Sequence, residues 1–143
     1  MVARFDRHGI RFQYPENWQV SDDSNETGRC CITLQSPNSG FWMLQLFDDG
    51  RNPEKLIAEV LRSVRQEYDS VEAALVHEPI QDTQTVGYDM QFYCLDFVVS
   101  AKVCSFELGD KTCVVLYQAE DREFDELKQV FLAITTSLCN SEQ

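Results

Sequence analysis

Residues 98–119 read VVSAKVCSFELGDKTCVVLYQA, and the fold turns on them. Gly109-Asp110 forms a two-residue turn in which glycine supplies the positive φ that primed hairpin turns require. Val98 to Leu108 and Thr112 to Ala119 are therefore an antiparallel pair, with Glu107 opposite Thr112, Phe106 opposite Cys113 and Cys104 opposite Val115. On the second strand Val114, Val115, Leu116 and Tyr117 run without polar alternation, as do Phe92, Tyr93, Cys94 and Leu95 upstream. Strands with such runs are buried on both faces, so both faces of this sheet need covers.

Working outward, the covers are two amphipathic helices. Asn52 is a good N-cap, Pro53 suits the first helical position, and Leu56, Ile57, Val60, Leu61, Val64 and Tyr68 follow at helical spacing, which predicts a helix from Pro53 to Tyr68. The second predicted helix spans 121–138, with Asp121 as a cap-capable start and Glu123, Asp125 and Glu126 at the positive end of its dipole. Its apolar stripe is Phe124, Leu127, Val130, Phe131, Ile134 and Leu138. The remaining predicted strands are 10–14 and 18–22 around Pro15, 30–35 and 41–47 around the Ser36–Gly40 turn cluster, 71–80, and 86–95. Polar residues 22–28 form a loop. The expected fold class is α+β, a single-domain antiparallel α/β/α sandwich over residues 1–143 with a helix on each face.

The 143 residues fit one domain. Lys and Arg number 12 against 24 Asp and Glu, a formal net charge of −12, so the surface field repels phosphate backbones and nucleic acid is not an expected partner. The N-terminal stretch MVARFDRHGI has no apolar signal region and no run is long enough to span a bilayer, which leads to the expectation of a soluble, cytoplasmic protein. Asn25-Glu26-Thr27 matches a glycosylation sequon, which a protein outside the secretory pathway would leave unused.

Around Pro15 the pattern F-x-Y-P-x-x-W-x-V (Phe12, Tyr14, Pro15, Trp18, Val20) resembles the opening of the PsbP-like superfamily. That superfamily takes in oxygen-evolving-complex subunits, the Ran-binding Mog proteins and many bacterial proteins, some of them chaperones for secreted effectors. The close is similar too: Leu116-Tyr117-Gln118-Ala119, then Phe124, Phe131, Ile134 and Ser137 on the last helix. The element order agrees over nearly the whole chain. Each motif is a packing pattern, and what the resemblance implies is the fold and a non-catalytic binding module. Two stretches, 93–96 (YCLD) and 118–124 (QAEDREF), are denser than the family pattern needs.

Chemistry has few candidates. There is no phosphate loop, no H-E-x-x-H and no G-x-S-x-G, so no catalytic residue, cofactor or metal site is expected. Of the two histidines, His8 falls in the N-terminal segment and His77 in a strand; pairing His77 with Cys94 as base and nucleophile would need a group to orient the imidazole. Cys104 and Cys113 fall diagonally on one face, an incomplete zinc site, and the six cysteines read best as small buried hydrophobes. Asp48 and Asp49 beside Gly50 lack the ligand spacing of a calcium loop. The primary expectation is a protein-binding or chaperone-like adaptor that does no chemistry and contacts an unknown protein partner through Phe41, Trp42 and Met43, at least one of them exposed near a sheet edge, with Trp42 preferred over Trp18 as the interaction residue. A thiol-dependent enzyme or redox protein using Cys94, Cys104 or Cys113 is the first alternative. A structural homodimer joined through the Trp42 hairpin is the second.

Overall fold

The computed structural model describes residues 1–24 and 30–141; the sequon at Asn25 lies outside them. The 98–119 hairpin sits near the middle of the molecule as β8 (Phe97–Leu108) and β9 (Lys111–Glu120), in the expected register. Around it the described residues form β1 (Val2–Arg7), β2 (Ile10–Pro15), β3 (Gln19–Asp22), β4 (Cys30–Gln35), β5 (Phe41–Phe47), α1 (Pro53–Glu67), β6 (Glu72–Val76), β7 (Val86–Cys94) and α2 (Asp121–Cys139). Seven strands make one antiparallel sheet in the order β3-β4-β5-β9-β8-β7-β6, and β1 and β2 pair as a separate hairpin. Two helices and a large antiparallel sheet make the fold α+β.

Successive residues of the central strands serve two cores, because strand side chains alternate in direction. Val114 and Val103 cluster with Leu56, Ile57 and Leu61 of α1. Val115 and Cys104, their immediate neighbours, cluster with Phe131, Ile134 and Leu138 of α2. The second cluster also takes Phe5, Ile10 and Phe12 from the β1–β2 hairpin, where Phe12 stacks on Phe5 at 4.8 Å and meets the Trp42 ring at 5.0 Å. Trp18, turned inward after Pro15, puts its edge against Phe131 at 5.8 Å.

Three differences from the sequence reading have physical causes. Residues 2–7 form a strand where no element was expected, closed by a turn in which both His8 (φ 60) and Gly9 (φ 78) take the left-handed conformation. Strand β6 stops at Val76 rather than running to Ile80, which makes only an isolated bridge to Thr83. Asp121 does not cap α2: Glu120 is the N-cap, without a side-chain bond, and the Asp121 carboxylate accepts from Ser100 Oγ at 2.8 Å instead. By contrast, Asn52 Oδ1 caps α1 by accepting from Lys55 N at 3.1 Å.

The turn between β4 and β5 is tied to α2 by one carboxylate. Glu123 accepts from Ser36 Oγ (3.0 Å), Ser39 N (2.9 Å), Ser39 Oγ (2.7 Å) and Gly40 N (3.1 Å). Burial alone would raise this acid, but the four donors outweigh it and hold the carboxyl below its ordinary value of 4.5. Its contribution to stability is therefore complete above that value and is lost as pH falls through the lower folded one. Glu123→Gln should destabilise at neutral pH and cost progressively less in acid; urea titrations of both proteins across the acid range measure the converging difference. Trp42 is 0% exposed and its indole Nε1 donates to Thr135 Oγ1 at 3.0 Å. Trp42→Ala should cost about 3–5 kcal/mol, read as a lower urea midpoint at unchanged slope.

Candidate functional site

Strand β5 alternates Phe41, Met43, Gln45 and Phe47 on one side with Trp42, Leu44 and Leu46 on the other, and only the second set is buried. The half-buried set floors an open groove of about 700 Å³ that runs beside α1 and is closed at the back by Val114 and Leu116 of β9. Helix α1 lies over β7, β8 and β9, which leaves the sheet under β4 and β5 without a helix on that side. The helical wall is a row at four-residue spacing, Leu56, Val60, Val64 and Tyr68, with Tyr68 stacked on Phe92 at 4.4 Å. Acidic side chains Asp23, Glu59 and Glu67 mark the rim. Among the described residues the lining cation is Arg51, which lies over the Phe47 ring at 4.7 Å and donates from Nε to Asp49 Oδ2 at 3.0 Å.

Of the three residues expected to meet a partner, Phe41 and Met43 line this groove and Trp42 does not. Trp42 faces the α2 core because β5 is an interior strand, bonded to both β4 and β9, and its position parity points the indole inward. The choice of Trp42 as the preferred interaction side chain is therefore corrected.

The other chemical candidates separate in space or lack the geometry. Val76, next to His77, pairs with Gly87, while Cys94 lies seven residues along β7, roughly 23 Å away, so the two cannot act as a pair. Cys104 and Cys113 do share a core, where burial pushes the Cys104 thiol up to about 12 and raises Cys113 too. Burial also raises Cys139 to about 11. Those thiols stay protonated, the opposite of what a nucleophile requires. Arg51 engages Asp49, beside Gly50.

Two arrangements were not visible in the sequence. His8, Asp22 and Ser24 meet at the edge of β3, but Asp22 Oδ2 (2.9 Å) and Ser24 Oγ (3.2 Å) approach the same ring nitrogen, Nε2, and Ser24 Oγ donates to Asp22 Oδ1 at 2.6 Å. A serine whose proton is held by the aspartate has no base, so this trio is not a hydrolytic triad. Chiefly the Ser24 hydroxyl, then His8, pulls the Asp22 carboxyl down to about 2.

The second is the β7–β8 turn, where Tyr93 (59%), Leu95 (91%) and Phe97 (58%) project into solvent. Leu95 has φ 56 at the first central position, the place that Gly109 (φ 64) fills in the β8–β9 turn, and each is followed by aspartate. The dense stretch 93–96 is this tip, and the sequence holds only a faint sign of it, Leu95-Asp96 where the neighbouring turn has Gly109-Asp110.

With the geometry in hand, comparison with solved structures shows a PsbP-like fold. Cyanobacterial PsbP (CyanoP) of Synechocystis superposes with a TM-score of 0.69 at 12% identity, over 95% of this chain and 90% of that one. PA94 of Pseudomonas aeruginosa, a protein of unknown function, gives 0.60 at 11% identity over 96% and 95% of the two chains. LpqN of Mycobacterium tuberculosis, described as involved in cell envelope biogenesis, gives 0.54 at 9% identity over 100% and 88%. At such identities the likeness is one of fold. No family model matches the chain, and no curated protein matches its sequence. No helix among the described residues is long and apolar enough to cross a membrane.

A left-handed leucine costs roughly 1–2 kcal/mol that glycine does not. Leu95→Gly should therefore stabilise the chain by about 0.5–1 kcal/mol after glycine's extra chain entropy is subtracted, read as a higher urea midpoint at unchanged slope. A lower midpoint would show that Leu95 makes a stabilising contact within the chain.

Proposed function

We propose that this chain is a non-catalytic, adaptor-like protein-binding module that holds an apolar segment of a partner in the groove beside α1. The observation that carries the reading is the row of half-buried apolar side chains, Phe41, Met43, Phe47 and Leu116, that lines a concave surface beside α1. Ligand sites are concave and mostly apolar, and methionine and aromatic side chains adapt to varied partners. The scaffold on this reading is a helix–sheet–helix sandwich, which the alternation of Val114 and Val115 between the α1 and α2 clusters supports.

A cytoplasmic setting belongs to the same proposal and is supported by six unbridged cysteines, a usage typical of reducing compartments. Kinship with the Ran-binding Mog proteins rests on the Phe12–Val20 motif and is proposed on that alone.

Met43 sits half-buried on the groove floor, so Met43→Glu should keep the circular dichroism spectrum and unfold cooperatively. An immobilised library of 15-residue peptides should return apolar sequences that the native chain retains and Met43→Glu binds about tenfold more weakly. Identical binding profiles for the two folded proteins would overturn the groove as the site.

A further inference from the structure

Resting on that reading, we infer that the occupant of the groove is a basic amphipathic helix, seated next to α1 over β4 and β5 as the second helix of that layer. The floor decides between helix and strand. Both β4 and β5 are bonded on each side within the sheet, so the groove offers no free strand edge for an extended peptide to join. An extended segment lying on Phe41, Met43 and Leu116 would leave its own N–H and C=O groups unpaired against apolar carbon. A helix satisfies those groups internally, and its diameter of about 10 Å is that of the neighbour it would pack against.

The charges decide the sign. Helix α1 carries Lys55, Arg62 and Arg65, none of which lines the groove, whereas its Glu59 and Glu67 do. Among the described residues neither Glu59 nor Glu67 forms an ion pair, and the lining cation, Arg51, is already paired with Asp49. Asp23 adds a third acid on the rim. Glu59 and Glu67 stand eight residues apart along α1, roughly 12 Å, so the complementary helix carries two cations about two turns apart beside its apolar stripe.

The test uses three fluorescein-labelled 15-residue peptides with one leucine stripe and flanking positions occupied by lysine, glutamine or glutamate. Anisotropy is read against the native chain at low and high salt. The lysine peptide should bind about tenfold tighter than the glutamine peptide at low salt, the margin should shrink as salt screens the rim, and the glutamate peptide should bind weakest. Glu59→Gln with Glu67→Gln should bring the lysine peptide down to the glutamine level, and Met43→Glu should weaken both. Equal lysine and glutamine affinities that still depend on Met43 overturn the basic helix and leave the groove reading standing. Failure of all three peptides overturns both. Lysine-peptide binding indifferent to Met43→Glu is adsorption to an acidic surface and overturns the inference as well.

Discussion

Burial of β8 and β9 on both sides is the constraint on which the rest of the structure depends. Val103 and Val114 belong to one core, Cys104 and Val115 to the other. Neither strand can be solvated on either face without losing a core. The few polar groups inside are tied to backbone: Ser105 Oγ donates to Cys113 O at 2.8 Å and Thr112 Oγ1 to Arg51 O at 3.0 Å. Burial at the centre is thus bought without orphaned donors.

The two covers are unequal. On the α2 side the β1–β2 hairpin supplements the helix, with Phe5, Ile10 and Phe12 filling space that α2 does not reach. The α1 side has no such supplement, so the sheet under Phe41 and Met43 stays open. Among the described residues, one seven-stranded sheet and two helices leave more sheet than helix to cover it. On the proposed reading, that surplus is where the partner sits without disturbing either core.

Much of this was legible in the residues. The Gly109-Asp110 turn, the unbroken Val114–Tyr117 run and the Asn52-Pro53 cap fixed register, double burial and the start of α1, because each is a local signal with a local cause. The groove was legible by halves. Phe41-Trp42-Met43 stood out as three large apolar residues in a row, but deciding which of them faces the α2 core requires knowing that β5 is interior, and strand order is set by contacts distant in sequence. The β1 strand was missed because His8-Gly9 places a histidine at φ 60, where glycine or asparagine would have announced the turn. The Asp121 cap was misread since Ser100, far away in sequence, competes for the carboxylate.

A strand that is apolar on both sides carries little alignment information of its own: shifting β9 by one residue would exchange one valine for another. Alignment must come from shape. Besides the turns, Gly87 supplies it, since a β-carbon there would fall 2.2 Å from the Val103 carbonyl oxygen and 3.1 Å from Cys104 Cα. Strand β7 can approach β8 this closely only where the side chain is missing, which keys the two strands like a notch. Most positions along the sheet can then trade one branched hydrophobe for another while the notch and the turns cannot, so the architecture can outlast nearly all of the letters that spell it.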